Sequence, residues 1–334
     1  MKGRLRIREL REPEELEALA GDWWALWRRL PQTTPFQSPA WLIPWWRSFE
    51  PGELRTIAVE EDGRLVGLAP LYLETGPLGR RLLPVGVSLS DYLDWLIDPE
   101  RAEAAGVAIL AHLADADWAW DVMELQELPP GAAALSLPVP AGMEASAVEH
   151  SACPVLALPP GEGVMKALPW RKRRALRNAR NRAARQGAEC RRAGAEEARS
   201  FIEALFAVHG ARWQSQGSSG VLRGEAVRSF HRSAVGRLAD SGLARLYRLD
   251  IGGQPIGAYY GFQHDGVAMA YLMGFDPQYE RLSPGTILLG HAIDEAVREG
   301  ARELHFLRGR EPYKYGWGAE DCWNRRRLFR RAAT

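Results

Sequence analysis

The feature that most limits how this chain can fold is an order of predicted secondary structure that occurs twice. In each half, a strand precedes two helices, a β-hairpin, a further strand, a helix and a last strand. Local similarities support this repeat. Residues 61–67 and 251–257 each combine a tight turn with a strand whose fourth residue is glycine, and residues 96–99 resemble residues 274–277 at a strand end. A repeat on this scale predicts two domains of similar architecture.

The length of the chain agrees with two domains, because 334 residues exceed a typical single domain. The Pro-Pro-Gly stretch at residues 159–161 is the natural linker, so we predict domains at residues 1–160 and 161–334. We expect an α/β (α+β) fold in which each domain has a mixed, mostly antiparallel sheet flanked by helices. Aromatic residues at positions 36–49 are expected to pack in the core beneath the second helix rather than to line a ligand groove.

Composition excludes several classes of protein. The chain is 46% apolar and 25% charged, which is typical of an ordinary globular protein. Its cysteines, Cys153, Cys190 and Cys322, are far apart and lack metal-ligand spacing, so we expect neither a disulfide framework nor a bound metal. Neither a signal peptide nor a transmembrane segment is apparent. We therefore expect a soluble, cytoplasmic protein whose oligomeric state the sequence does not indicate.

Charge is distributed unevenly, although the formal net charge of the whole chain is only +1. Residues 166–192 hold 11 basic residues and 1 acidic residue, whereas residues 1–165 hold 13 basic and 25 acidic residues. Most of the excess lies on a predicted helix at residues 170–186, which has only a narrow apolar stripe. Such a positive face could bind RNA, an acidic glycan or a lipid phosphate. We favour its docking on the acidic first half, because the charges then balance within one chain.

Several segments carry a resemblance to a known fold family: residues 36–41, the basic helix at 170–186, and residues 271–276, 283–285 and 306–314. Together with the order of elements, they resemble the GNAT acyltransferase fold. The tandem arrangement resembles the Fem-type transferases and the CelD-like proteins linked to cellulose biosynthesis. The likeness covers most of the chain and is best from about residue 165 to residue 316.

A ligand site is predicted where residues 278–285 connect a strand to a helix N-terminus, because unsatisfied N–H groups and the helix dipole favour an anion there. The resemblance makes this the site of coenzyme A, bound as acetyl-CoA or a longer acyl-CoA. It implies a cofactor site formed by Gly274, Arg281, Ser283, Pro284, Gly285 and Thr286. The equivalent residues 98–103 of the first half lack glycine and add carboxylates, so we expect the cofactor in the second domain only.

Acyl transfer requires a base for the acceptor, an acid for the leaving thiol and donors for the developing oxyanion. The candidate catalytic residues follow the fifth strand of the second domain and are His305, Glu311, Tyr313 and Lys314. Lys314 is one of only four lysines among 43 basic residues, which indicates a position where a compact ammonium serves better than a guanidinium. It could bind phosphate or carboxylate, or cap backbone carbonyls.

The resemblance further implies that Trp213, Tyr271 and Arg308 bind the acceptor. We expect an acyltransferase that moves an acyl group from acyl-CoA to an amine or hydroxyl of a saccharide or cell-envelope-related acceptor. One alternative is Fem-type transfer from an aminoacyl-tRNA, which predicts salt-sensitive RNA binding. We disfavour it because the Fem-type coiled-coil arm is reduced here to one helix. The other alternative is a non-catalytic ligand-binding protein on a GNAT scaffold.

Overall fold

The computed structural model describes residues 4–159, 164–215, 217 and 220–331. The chain divides into two compact units, the first formed by Met1–Ser151 with Trp323–Thr334 and the second by Ala152–Cys322. The predicted linker residues Pro160 and Gly161 lie outside the described residues. The last strand returns to the first unit, where Phe329 is buried in the core.

The first unit contains, in chain order, β1 (Leu5–Leu10), α1 (Pro13–Arg29), α2 (Pro39–Phe49), β2 (Glu53–Leu54), β3 (Thr56–Glu61), β4 (Arg64–Ala69), β5 (Leu71–Gly76), β6 (Gly79–Pro84), β7 (Leu96–Ile97), α3 (Ala102–Asp115), β8 (Val122–Leu128) and the start of β9 (Met143–Ala157). The second contains α4 (Val164–Ala167), α5 (Trp170–Ala184), β10 (Ala188–Arg192), α6 (Ala198–Ser215), α7 (Glu225–Asp240), β11 (Ala244–Ile251), β12 (Gln254–His264), β13 (Val267–Phe275), α8 (Pro284–Arg298), β14 (Glu303–His305), α9 (Pro312–Tyr315) and the start of β15 (Glu320–Arg331). The predicted element order therefore occurs in both units, which confirms the repeat.

Strands of the first unit are divided between two sheets. One has the order β1-β3-β4-β7 and is antiparallel throughout. In the other, β2, β5, β6, β8 and β15 are neighbours, and only the β6–β8 pair is parallel. Within the described residues, β7 pairs only with β4, so the sheets separate between β7 and β8. Pro70 separates β4 from β5, and β5 forms a second hairpin with β6 that is additional to the predicted order of elements.

The aromatic cluster at residues 36–49 packs in the core of the first unit, as predicted. Phe36, Trp41, Trp45 and Trp46 are all buried. The indole N–H groups of α1 find acceptors beside this cluster, since Trp23 donates to the Gln37 carbonyl and Trp27 to the Thr34 carbonyl. Each indole therefore combines a large buried apolar area with a satisfied donor, which is the usual condition for burying tryptophan.

The sheet of the second unit has the strand order β10-β11-β12-β13-β14, with the end of β9 beside β14. Neighbouring strands are antiparallel except β13 and β14, which pair in parallel over residues 267–269 and 303–305. β13 continues to Phe275, beyond the end of β14. The two strands therefore part, and they leave an opening along residues 270–275 of β13. β14 ends at His305, and two residues later Leu307 adopts a left-handed backbone conformation with φ of 60°.

Helices cover both faces of this sheet. α5 and α8 pack against each other closely at Gly290, where a β-carbon would lie 2.6 Å from a methyl group of Leu176. The basic helix thus forms as predicted, with its narrow apolar stripe of Leu176, Ala179 and Ala183 buried. In the described part of the chain, no helix combines the length and apolarity that crossing a bilayer requires. The mixed, mostly antiparallel sheets flanked by helices confirm the predicted fold class.

Candidate functional site

The opening between β13 and β14 is the first element of the candidate site. Ala270, Tyr271, Leu272 and Met273 are only partly buried. A β-bulge between β12 and β13 makes Tyr271 an extra residue in the ladder, because Tyr260 pairs with Leu272 and Gly261 with Ala270. The Tyr271 ring lies against the ring of Tyr260 at 5.6 Å between centroids. The bulge therefore turns a polar aromatic side chain toward the α6/α7 side of the sheet.

The N-terminus of α8 follows the carboxyl end of β13. Ser283 takes a left-handed conformation with φ of 60°, and its carbonyl accepts hydrogen bonds from Thr286 at 3.0 Å and Ile287 at 3.2 Å. Pro284 occupies the first helical turn and is buried. A β-carbon on Gly285 would lie 3.3 Å from the Met273 methyl group. Because Gly285 has no side chain, the backbone of this turn stays accessible to a ligand beside the end of β13.

Two arginines flank this helix N-terminus. Arg281 is exposed in the turn of residues 277–282. Arg182 of α5 donates from Nη2 to Ser283 Oγ at 3.4 Å. Their positive charges add to the partial positive charge of the helix end, so the arrangement can hold an anion. The sequence analysis missed Arg182, whose place depends on the close packing of α5 on α8.

Lys314 organises the loop after β14. It is only 2% exposed, and its Nζ donates to the carbonyls of Leu307 at 3.0 Å, Arg308 at 2.7 Å and Gly309 at 3.0 Å. It also lies 2.9 Å from Glu311 Oε2. A compact ammonium can reach three converging carbonyls, whereas a planar guanidinium cannot. The structure thus brings Arg308, Glu311 and Lys314 together, with the ammonium used within the loop.

Tyr313 lies on the short helix α9, next to this loop. Its ring packs edge-on against Phe306 at 6.3 Å, and the residue is 48% exposed. Desolvation of the hydroxyl and then the charge of Glu311 raise the pKa of Tyr313 to about 12, against the opposing charge of Arg212. The phenol is protonated at neutral pH, as an ordinary tyrosine is, and its hydroxyl can donate a hydrogen bond.

Arg212 connects these parts of the site. Its guanidinium lies 4.7 Å from the centre of the Phe275 ring, a cation–π contact at the end of β13. A β-carbon on Gly285 would lie 3.7 Å from the same Phe275 ring. Phe275 at the end of β13 therefore lies beside both Arg212 of α6 and Gly285 at the N-terminus of α8. The charge of Arg212 also acts on Tyr313. Sequence reasoning missed Arg212, although its position one residue before Trp213 could have suggested it.

Trp213 holds a buried histidine that the sequence analysis also missed. The Trp213 indole donates to His209 Nε2 at 2.9 Å. Burial, followed by the charge of Arg212, lowers the pKa of His209 to about 4, so the ring is neutral at pH 7. Because Nε2 accepts, the proton must lie on Nδ1, which is buried and has no hydrogen-bond partner among the residues that the structure describes. Gly274 permits this packing, since a β-carbon there would lie 2.7 Å from the His209 backbone.

His305 lies at the end of β14, where the opening begins. Its Nε2 is 3.0 Å from Glu303 Oε2. Burial lowers the pKa of His305, and the Glu303 carboxylate opposes the shift. A neutral imidazole beside a carboxylate donates from Nε2 and leaves Nδ1 as the acceptor nitrogen.

Exposed arginines of α5 form the remaining feature, and we call Arg171, Arg174, Arg177, Arg182 and Arg185 the α5 arginine face. None of these five makes an ion pair with a described residue of the second unit. Arg180, on the side of the helix nearer α8, instead pairs with Asp294 at 2.6 Å. The α5 arginine face is thus a positive surface that reaches, through Arg182, the N-terminus of α8.

Comparison with known proteins shows which fold this chain shares. Residues 171–315 match the family model of the acetyltransferase (GNAT) domain. Across the whole chain, the fold is similar to the crystal structure of FemX, with a TM-score of 0.65, 12% identity and 96% coverage of both chains. It is also similar to L-PGS from Bacillus licheniformis, with a TM-score of 0.60, 13% identity and coverage of 98% and 94%.

A third similar structure is a tandem GNAT protein from the clavulanic acid biosynthesis pathway. It has a TM-score of 0.50 and 16% identity, and the match covers 97% of this chain and 98% of that one. No curated protein matches the sequence. At these identities the solved structures show the fold, and the predicted tandem arrangement is confirmed.

Proposed function

We propose, on the premise that this chain has the tandem GNAT fold and that residues 171–315 form a GNAT acetyltransferase domain, that it transfers an acyl group from acyl-CoA to an amine or hydroxyl. A saccharide or cell-envelope-related molecule of the CelD-like type is the proposed acceptor. The observation that carries the proposal is the α8 N-terminus beside the opened β13, flanked by Arg182 and Arg281.

The residues at this turn fit the pyrophosphate of a coenzyme. Arg182 and Arg281 supply charge, while Ser283 and Thr286 supply hydroxyl groups and Gly285 leaves the backbone accessible. Gly274 allows α6 to pack close to β13 beside this turn. Pro284 starts α8 and so places the helix N-terminus there. An acyl-CoA bound here would supply the acyl group as a thioester.

Proton transfer is assigned to side chains around the opening. His305 lies at the end of β14, where the opening begins, with its Nε2 3.0 Å from Glu303 Oε2, and is our proposed base. Tyr313, which is half-exposed beside the loop after β14, is our proposed acid for the departing thiolate. Lys314 positions the loop that connects His305 to Tyr313, because its ammonium holds carbonyls of residues 307–309. Glu311 pairs with the same ammonium. Trp213, Tyr271 and Arg308 are proposed to contact the acceptor.

Titration calorimetry with acetyl-CoA tests the cofactor site. We expect Gly285→Glu to abolish binding, because a carboxylate would occupy the place of a phosphate. Arg182→Met should weaken binding by about tenfold or more, as expected for the loss of one charge-assisted contact. The control is Arg298→Met, which removes an exposed arginine at the C-terminal end of α8, away from the proposed site at the N-terminus of α8. Equal binding by Arg182→Met and Arg298→Met would refute the proposed site.

A second candidate is aminoacyl transfer from a charged tRNA, favoured by the α5 arginine face. Binding to an RNA backbone releases counterions, so it would weaken steeply as salt increases. Measuring tRNA and acetyl-CoA binding in parallel separates the two donors. Replacing Arg174 and Arg177 by Gln would reduce tRNA affinity and salt dependence under this alternative. The acyl-CoA proposal predicts that this double variant binds acetyl-CoA like the parent protein.

A further inference from the structure

The α5 arginine face is a charged surface of the second unit, and the proposed transfer site uses only its Arg182. All five of its arginines are exposed. Residues 163–188 contain no aspartate or glutamate, so no carboxylate on α5 offsets their charge. A concentrated charge of one sign that is exposed to solvent attracts a partner of the opposite sign.

The arginines of this face lie on one side of the helix. At 3.6 residues per turn they fall within an arc of about 140°, opposite the buried apolar stripe of α5. The exposed residues between them are alanines and asparagines, which are shorter than arginine. The guanidinium groups therefore extend beyond their neighbours on a convex surface about 21 Å long.

An exposed tryptophan lies at one end of the same arc. Trp170 is the first residue of α5 and is 59% exposed. The guanidinium of Arg171 lies 5.5 Å from the centre of its ring. Tryptophan beside basic residues is typical of the boundary between water and the hydrocarbon of a bilayer. Trp170 thus adds an apolar contact to a surface that is otherwise cationic.

The opposite side of α5 is fixed to the body of the second unit. Leu176 is fully buried and packs at Gly290 of α8. Nearer the helix N-terminus, the ammonium of Lys172 lies 4.2 Å from the centre of the buried Trp317 ring. The arginines are therefore presented on a helix that is already folded and packed, so binding does not require the helix to form.

The spacing of the arginines favours lipid headgroups over a nucleic acid. Successive arginines of the face are separated by about 4.5, 4.5, 7.5 and 4.5 Å along the helix axis. Phosphates of a nucleic acid repeat at a fixed distance, whereas lipid headgroups diffuse laterally and can match any spacing. A single-stranded nucleic acid also needs successive aromatic platforms, and this face has one aromatic residue at its end. Four to eight basic residues on an amphipathic helix are typical of binding to anionic lipid.

We propose that the α5 arginine face docks the protein on an anionic lipid bilayer. α5 lies parallel to the bilayer surface, its arginines contact headgroup phosphates, and the Trp170 ring enters the interface. The contact requires neither an acyl donor nor an acceptor, so it goes beyond the proposed function and does not depend on it.

Sedimentation with large vesicles tests this contact. The vesicles consist of phosphatidylcholine alone or with about one-third phosphatidylserine, and we expect the protein to sediment only with the anionic ones. Each arginine near an anionic surface strengthens binding about fivefold, so Arg174→Gln/Arg177→Gln should weaken it about thirtyfold. The matched control is Arg199→Gln/Arg223→Gln, which removes two exposed arginines beside α6 and α7 and changes the net charge equally. We expect this control to bind within about twofold of the parent protein, because charges beyond a Debye length are screened.

Salt separates the charged contribution from the apolar one. Trp170→Ser should weaken binding at least about threefold, and this factor should be the same in about 0.05 M and about 0.3 M NaCl, because apolar burial is not screened. The effect of the double arginine variant should shrink at the higher salt concentration. A Trp170 effect that disappears with added salt would contradict entry of its ring into the interface. The replaced side chains are exposed, so thermal melts of all variants should match that of the parent protein.

Equal sedimentation with neutral and anionic vesicles would overturn the proposal. Equal loss of binding by the double arginine variant and its control would also do so. A parent protein that binds tRNA but does not sediment with anionic vesicles would assign this face to RNA instead. Calorimetry with acetyl-CoA needs no vesicles and reports on the transfer site separately, so the failure of one proposal is distinguishable from the failure of the other.

Discussion

Replacing Lys314 by methionine tests how the loop after β14 is held together. Methionine preserves the length and the apolar stem of the side chain but removes the ammonium. In the native loop that ammonium contacts three carbonyl oxygens at 2.7 to 3.0 Å and the Glu311 carboxylate at 2.9 Å. The variant therefore removes a cation from the point where four acceptors converge.

The magnitude follows from the exposure of those acceptors. The hydrogen bond to the Leu307 carbonyl is buried, so losing its donor costs about 1–3 kcal/mol. The Arg308 and Gly309 carbonyls are partly buried and can be rehydrated, which limits their combined loss to about 1 kcal/mol. The Glu311 side chain is 55% exposed, so its ion pair contributes no more than about 1 kcal/mol. We expect Lys314→Met to destabilise the second unit by about 2–4 kcal/mol.

Thermal unfolding followed by circular dichroism measures this effect. For a unit of this size, each kcal/mol shifts Tm by about 2–4 °C, so a decrease of roughly 4–16 °C is expected. Lys314→Arg should not restore stability, because the guanidinium cannot meet three carbonyls from one point. Glu311→Gln, which removes only the exposed ionic contact, should lower Tm by no more than about 4 °C.

Enzyme activity separates a structural role of Lys314 from a direct one. A Tm equal to that of the parent protein would refute the calculation above. If turnover were lost while Tm stayed unchanged, Lys314 would act on a substrate rather than on the loop. Turnover that falls in proportion to the unfolded fraction, and recovers at lower temperature, would agree with a role confined to holding the loop.

Other parts of the second unit give three further predictions. Gly274→Ala should destabilise it by about 1–3 kcal/mol, because the new β-carbon meets the His209 backbone at 2.7 Å; Gly210→Ala, which meets nothing within 4 Å, should raise Tm slightly in the same melts. Burial lowers the pKa of His209 to about 4 and that of His231 to about 3 in the folded state. Both values lie below the pKa of an unfolded histidine, so the unfolded state binds more protons below about pH 6.5. Stability should then fall from pH 6.5 toward pH 4, by up to about 1.4 kcal/mol per pH unit for each histidine, and Tm values at pH 7 and pH 5 that coincide would contradict this. Trp213→Phe should cost about 1–3 kcal/mol in urea unfolding by leaving buried Nε2 of His209 without its donor, whereas no change would show that water replaces the indole.

Much of the fold was predictable because it depends on local patterns. The turn of residues 252–253 and its flanking strands follow from two adjacent glycines in left-handed conformations. β13 runs from Val267 to Phe275, and both of its ends follow from the sequence, since a turn precedes it and an Asp-Pro pair follows it. The end of β14 could not be predicted in this way. It ends early because Leu307 turns left-handed to bring its carbonyl to Lys314, a contact between residues on separate elements.

The sequence by itself determined the repeat, the aromatic core of the first unit and the basic surface of α5, because each is encoded by the spacing of apolar, turn-forming or charged residues within one segment. Only the tertiary structure decided which side chains meet at the end of β13. Arg182, His209 and Arg212 come from helices whose relation to β13 depends on close approaches at Gly274 and Gly290. It also decided that the ammonium of Lys314 serves the loop carbonyls, since converging acceptors are a property of the folded backbone and leave no pattern in the sequence.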